Sequence, residues 1–228
     1  MMLTADYHTH TTFSHGKGRP DENIEAALNS GLKEIGIADH SVSHLAYGVR
    51  NIGRYFGELE KAKRLYEGRI VVKTGIELNL LGLDGSVDLP EGYGFDVTIL
   101  GIHKAALYKN IKSAWALLFG TDRKKITGAY LQAMRKNRID IIAHPGYAAP
   151  VDYGMLGKAC SDYGTLFEIN DRHRGLTAQD IAQAASEGAR FVISSDAHVP
   201  GDVGGVSFAL ELAAAAGLTE KQIVNVKF

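Results

Sequence analysis

Glu34-Ile35-Gly36-Ile37-Ala38-Asp39-His40 is a short apolar run that ends on two ionisable residues, and Asp140-Ile141-Ile142-Ala143-His144 has the same form. Short apolar runs of this kind read as strands buried on both faces, as in a parallel sheet covered by helices. Outward from them, similar runs predict strands over residues 3–7, 34–38, 70–75, 96–101, 139–143, 166–169 and 191–194. Helical periodicity fills the intervals at 21–30, 53–66, 124–136, 153–163, 178–187 and 204–216. Pro20-Asp21 opens the first helix, Thr177 caps the one after the sixth strand, and Gly31 and Gly188 close theirs. Parallel neighbours need crossover connections, so the alternation implies either an open doubly wound sheet or a closed barrel.

The ionisable residues decide between these two. The chain has 9 histidines, and most follow a predicted strand. His8 and His10 follow the first, with His15 a little further on, and His40 closes the second. Glu77 lies just past the third, His103 ends the fourth and His144 the fifth. Glu168 or Asn170 ends the sixth, and Asp196 with His198 the seventh. A barrel brings all its strand ends to one mouth, whereas an open sheet would hold the outer ones too far apart to cooperate. Convergence favours the barrel.

Imidazole and carboxylate without a thiolate cluster suit Zn, Mn or Fe. In His8-x-His10 the strand period of two puts both rings on one face, and Asp196-x-His198 repeats the device. The candidates far outnumber the three or four protein ligands of one catalytic zinc, so two or three ions are expected. A lone His-x-His is usually incidental, and a lone strand-end histidine is usually structural. The joint placement carries the reading. His44 and His173 fall outside the pattern: His44 reads as a solvated loop residue, and His173 is left unassigned.

Composition narrows the class. The chain has 228 residues, 45% of them hydrophobic, enough for one core and one domain over residues 1–228. A formal net charge of −1, with no block of like charge, gives no footprint for strong nucleic-acid or membrane-surface binding. The single cysteine, Cys160, excludes an internal disulfide framework and suits a reducing cytoplasm. The start, Met1-Met2-Leu3-Thr4-Ala5-Asp6, has neither a basic flank nor a long apolar run, so no signal peptide or membrane span is expected. No period of 20–50 residues suggests a repeat array.

These residues resemble the PHP (polymerase and histidinol phosphatase) metallohydrolase family. The resemblance rests on Asp6-Tyr7-His8-Thr9-His10, Ala38-Asp39-His40, Ala143-His144-Pro145-Gly146 and Ser194-Ser195-Asp196-Ala197-His198, with Gly75-Ile76-Glu77 and Gly101-Ile102-His103 between them. It implies a distorted (β/α)7 TIM-like barrel with a trinuclear metal site. Position by position, the first ion would take His8, His10, Glu77 and Asp196. The second would take His103 and His144 with Glu77 bridging, and the third His15, His40 and His198. Glu77, Asp196 and His198 are the implied catalytic residues. No ligand position is lost, which argues for a working site.

The implied activity is hydrolysis of a small-molecule phosphate monoester by metal-activated hydroxide. Three divalent ions bring about +6 against about −2 from Glu77 and Asp196, and a phosphate dianion with hydroxide would nearly balance the excess. Arg19, Arg172 and Arg174 are the candidates for holding the phosphate, ahead of Lys17, Arg50 and Lys104. Histidinol phosphate lies within the resemblance, although the chain is short for a dedicated histidinol phosphatase. A phosphodiesterase or exonuclease acting on oligonucleotides is an alternative. So is an amidohydrolase-type enzyme, but its bridging lysine has no counterpart, because Lys104 follows His103 and would face the other way. Residues 105–121, which include Trp115, read as a packed helix rather than a lid over the mouth, and Tyr147 as an ordinary loop residue.

Overall fold

The computed structural model describes residues 1–227. Its main sheet contains β2 (Ala5–Asp6), β3 (Glu34–Ile37), β4 (Val71–Asn79), β5 (Val97–Gly101), β6 (Ile141–Ile142), β7 (Leu166–Asn170) and β8 (Phe191–Ser194), all parallel and in sequence order. Helices α1 (Pro20–Asn29), α2 (Ile52–Leu65), α3 (Ile111–Phe119), α4 (Arg123–Lys136), α5 (Tyr153–Tyr163), α6 (Ala178–Ser186) and α7 (Ser207–Ala215) lie between and after the strands. The sheet curls into a nearly closed (β/α)7 barrel, the architecture that the strand-end residues predicted. No helix among the described residues is long and apolar enough to cross a membrane.

Strand parity divides the core in two. Ala38, Val97, Ile99, Ile141, Ala143 and Val192 form a small cluster inside the barrel. Their neighbours Ile37, Leu100, Ile142, Phe191 and Ile193 belong to the larger layer between strands and helices. Period two therefore sends Glu168 of β7 inward between Phe167 and Ile169, both in the outer layer. The same alternation sends Glu77 of β4 inward between Ile76 and Leu78. Each helix buries an apolar stripe on the outer face, such as Tyr55, Leu59 and Ala62 of α2.

The barrel closes through side chains more than through a ladder. Asn225 donates from Nδ2 to Ala5 O and Ile193 O, both at 2.7 Å, and accepts from Ile193 N–H at 3.0 Å. Further up the seam, Asp6 accepts from the Ser195 amide at 3.2 Å and its hydroxyl at 2.5 Å. Thr9 then pairs with Ala197. This seam joins β2 to β8 and delivers His8, His10, Asp196 and His198 to the same place.

Several boundaries differ from the sequence reading. The first predicted strand breaks at Thr4, whose amide and hydroxyl both donate to Asn225 O. Before the break, β1 (Met2–Leu3) pairs antiparallel with β9 (Val226–Lys227), which lacks a strong pattern and was not predicted. The third strand runs on to Asn79 because the inward polar residues Glu77 and Asn79 continue the alternation. The last helix starts at Ser207, since Pro200–Asp202 forms a 3-10 turn and the Gly204 N–H is taken by Asp6. Within 105–121 the helix is shorter than predicted. It packs through Ser113 and Leu117 and leaves Trp115 66% exposed. The predicted stops hold, with Gly31 and Gly188 in the left-handed region at φ 75° and 88°, and Thr177 caps α6.

Candidate metal centre

The barrel mouth gathers every strand-end residue singled out above. Around Asp196 Oδ1, His10 Nε2 stands at 3.2 Å and His8 Nε2 at 3.8 Å, and the two imidazole nitrogens are 3.2 Å apart. Glu77 faces both, with Oε1 3.4 Å from His8 and Oε2 3.6 Å from His10. On its other side Glu77 Oε1 lies 3.0 Å from His103 Nε2 and 3.2 Å from His144 Nε2. His15, His40 and His198 form a third group that also takes in His10, with donor atoms all within 4.8 Å of one another. Donors each about 2.1 Å from a shared ion stand roughly 3.0–3.5 Å apart, so these spacings suit coordination.

Hydrogen bonding makes the same point. His15 Nδ1, His40 Nδ1, Glu77 Oε2 and Asp196 Oδ1 are buried without a hydrogen-bond partner. An unpaired buried polar atom costs about 1–3 kcal/mol, and several aimed at one space would be hard to tolerate with nothing between them. His40 Nδ1 and Glu77 Oε2 are only 2.5 Å apart, yet neither has hydrogen-bond geometry. Cations between these donors would satisfy all of them, so the residues present fit divalent metal ions.

A second layer orients the first. Glu168 Oε1 binds His8 Nδ1 at 2.7 Å, and Asn79 Oδ1 binds His103 Nδ1 at 2.8 Å, so each ring presents Nε2 to the cluster. His198 Nδ1 donates to Asp196 O at 2.8 Å. Asp39 accepts from the Thr11 amide at 2.7 Å and hydroxyl at 2.6 Å and from the Ser14 hydroxyl, which pins the loop between His10 and His15. Two residues of the cluster sit in backbone conformations unusual for their type, His144 at φ 29° and Asp196 at φ 54°. Such strain is typical of functional positions.

The protonation states of Glu77, Asp196, His15 and His198 suit ligation. Burial lowers His8 and His144, but the carboxylates around them outweigh it and raise both, so these rings would give up a proton on binding an ion. Burial opposes ionisation of Glu77, but His103, His40 and His8 outweigh it and hold the carboxyl well below the usual range. Asp196 behaves likewise beside His8 and His10. Burial, with the neighbouring His10, lowers His15 to about 4 and His198 to about 3, so both rings are neutral near pH 7. Neutral imidazole and ionised carboxylate are the forms that bind metals.

A cavity of about 300 Å³ opens above the cluster, lined by His15, His40, Glu77, His103, His144, Asp196 and His198 together with Lys104 and Arg172. Of the three arginines predicted to hold phosphate, only Arg172 lines it. Arg19 sits at the start of α1, 63% exposed and paired with Asp21, because the chain there turns away from the mouth. Arg174 is drawn aside by Asp171 O at 3.2 Å and stacks over Phe208. A larger groove of about 500 Å³ beside α1 and α2 includes Arg19 but lies away from the cluster.

His44 is a correction. It is buried rather than solvated, stacks on His40 with centroids 4.5 Å apart, and lines the cavity. Its Nδ1 accepts from Tyr47 N–H at 3.1 Å. His173 and Tyr147 also line the cavity and stack on each other at 4.0 Å. The reading by strand ends missed these residues because all three come from loops.

Known proteins share this domain and this fold. The model of the PHP domain matches residues 6–195. A protein of Thermoanaerobacter sp. (strain X514) named "Probable phosphatase" is 32% identical over 99% of this chain and 91% of its own length. A "Probable phosphatase" of Shewanella sp. (strain MR-4) is 28% identical over 99% and 88%. Among solved structures, the histidinol phosphate phosphatase of Lactococcus lactis, complexed with zinc, L-histidinol and phosphate, shares the fold with a TM-score of 0.66 and 16% identity. That match covers 96% of this chain and 95% of the other.

Proposed function

This chain belongs to the PHP domain family, and we propose that it is a metal-dependent phosphatase that releases phosphate from a small-molecule monoester with up to three divalent ions, drawn from zinc, manganese and iron. The observation that carries the reading is the charge of the cavity wall. Among the described residues its only carboxylates are Glu77 and Asp196, both at proposed ligand positions, and its other charged groups are Lys104 and Arg172. Three ions would bring about +6 against about −2; with buried Glu168 behind His8 and the cations Lys104 and Arg172 counted as well, the excess is about +5. A phosphate dianion answers that charge, whereas a neutral amide does not.

Divalent ions held there supply Lewis acidity toward phosphoryl oxygens and make bound water acidic enough to attack near neutral pH. The chain supplies the geometry. Glu77 faces His8, His10, His103 and His144 together and so ties the first group of ligands to the second. Asp196 and His198, joined through the Asp196 carbonyl, tie the first group to the third. Arg172 and Lys104 at the rim offer cationic donors to the phosphate. His44 accepts at Nδ1, so its neutral ring carries the proton on Nε2 as a further donor to an anion in the cavity.

About 300 Å³ accommodates a phosphate with a small leaving group, which supports a small molecule over a polymer. We assign the reaction to one domain over residues 1–228 and place it in the cytoplasm, where reducing conditions suit the lone buried thiol of Cys160.

The test combines elemental analysis with phosphate release from p-nitrophenyl phosphate, with and without added Mn or Zn. Two or three ions per chain are expected, with activity abolished in His10→Ala and Asp196→Ala proteins that remain folded. Metal bound in that amount without phosphate release from any monoester would move the reading to a diesterase or an amide hydrolase. Absence of bound or restorable metal would overturn it.

A further inference from the structure

His173 lies outside the family motifs, in the loop after β7, yet it faces the cluster. Its Nε2 is 3.3 Å from Asp196 Oδ2, without the alignment of a hydrogen bond. This is the carboxylate oxygen opposite to the one shared with His8 and His10. Asn170 Nδ2 donates to Asp196 Oδ2 at 3.2 Å, and a carboxylate oxygen has a second lone pair free for another partner. His144 completes the set, since one donor atom from each of His144, His173 and Asp196 lies within 4.8 Å of the other two.

The ring is held in place. The His173 amide donates to Asn170 Oδ1 at 2.8 Å, its ring stacks on Tyr147 with an interplanar angle of 29°, and it meets His144 edge-on at 4.9 Å. The side chain keeps about a quarter of its surface exposed, so it is reachable from the cavity. Asn170 thus orients both His173 and Asp196, the arrangement expected of an outer residue that aims two ligands at one ion.

We propose that His173 is a metal ligand in its own right, sharing an ion with Asp196 Oδ2 and His144 on the β6–β8 side of the centre. It extends the ligand set beyond the positions that the family motifs supply. Asp196, whose Oδ1 faces His8 and His10 while Oδ2 faces His173, would link this position to the first group. The proposal rests on the metal-centre reading above.

The experiment uses Co2+ as the only probe on the full chain, stripped with a chelator and reconstituted stepwise. Binding is followed by visible absorption, which reports ligand number and geometry, and by metal content after gel filtration. His173→Ala and His173→Phe are compared with the parent, the second keeping a ring to stack on Tyr147 while lacking a donor. Both are expected to change the d–d bands and to weaken one class of bound Co2+ by roughly tenfold or more. Spectra and titrations that match the parent would overturn the inference while leaving the metal centre intact, even if phosphate release fell. A parent protein that binds no Co2+ would overturn both.

Discussion

Glu168 Oε1 lies 2.7 Å from His8 Nδ1 with both side chains fully buried, which fixes the proton of His8 on the side away from the cluster. The other oxygen, Oε2, accepts from the His144 amide at 2.6 Å. One inward carboxylate therefore aims the ring of His8 after β2 and holds the backbone of His144 after β6. Burial raises Glu168, but His8 and His144 outweigh it and keep the carboxyl ionised.

Glu168→Gln should keep the fold and lose the charged partner of His8. Outer-layer changes of this kind cost roughly 10- to 100-fold in metal affinity. Competition titration against a chromophoric zinc chelator reads that loss directly. Equal affinity in variant and parent would show that Glu168 is only a structural carboxylate.

Gly101→Ala probes how closely His103 and His144 pack on β5. A Cβ at this position would come within 2.9 Å of His144 Cε1 and 3.0 Å of His103 Cε1. Neither ring can retreat freely, because Asn79 holds His103 and Glu77 faces both. Phosphate release should fall about 100-fold or more, since a displacement of about 1 Å at a reactive centre costs that much. The thermal midpoint of the metal-free protein should move little. A variant with parental activity would mean that the two rings are not held in a productive geometry by the strand.

The parts of this molecule legible in the sequence are those with period two. Strand ends at His40, His103, His144 and Asp196 could be read because a parallel strand exports its terminal residues to one mouth. Glu168 was visible only as a polar strand end, and its parity inside the barrel gave it a role. His44 and His173 were not legible, because loop residues reach the cavity by paths that no periodicity encodes. Arg19 lies outside the cavity for the same reason: proximity to His15 in sequence says nothing about which way the chain turns at α1. The β1–β9 pair was missed because two-residue strands leave no pattern.

Acid stability offers an independent check at Asp96, which links α2 to β4. It accepts from Lys63 Nζ at 2.6 Å, the Thr74 amide at 3.0 Å and the Thr74 hydroxyl at 3.1 Å. Burial pushes its carboxyl up, but Lys63 and the Thr74 amide outweigh it and the net direction is down. A carboxyl lowered in the folded state stabilises above its unfolded value of about 3.9, and the contribution disappears as pH falls through the folded value. Asp96→Asn should therefore be less stable than the parent at pH 7, with the gap closing from about pH 5 downward. Urea denaturation followed by circular dichroism at several pH values measures this. A gap independent of pH would mean that Asp96 acts by packing alone.

Asn225 makes the strongest demand on stability, because it stands in for the missing ladder between β2 and β8. It is 1% exposed, and its amide serves Ala5 O, Ile193 O and Ile193 N–H at once. Asn225→Ala leaves those backbone groups buried and unpaired, each worth about 1–3 kcal/mol. Partial rescue by water entering the seam should leave a net loss of about 2–4 kcal/mol, within the range of a broken buried network. Asn225→Asp should do no better, since a carboxylate can accept from Ile193 N–H but would face two carbonyl oxygens without a hydrogen to offer. The urea midpoint should drop in both variants with an unchanged slope, which marks lost stability without a change in compactness. The seam also sets the spacing of His8 and His10 against Asp196, so metal affinity should fall with stability. If affinity held while the midpoint dropped, the upper seam, through Asp6 with Ser195 and Thr9 with Ala197, would be enough to position the ligands without Asn225.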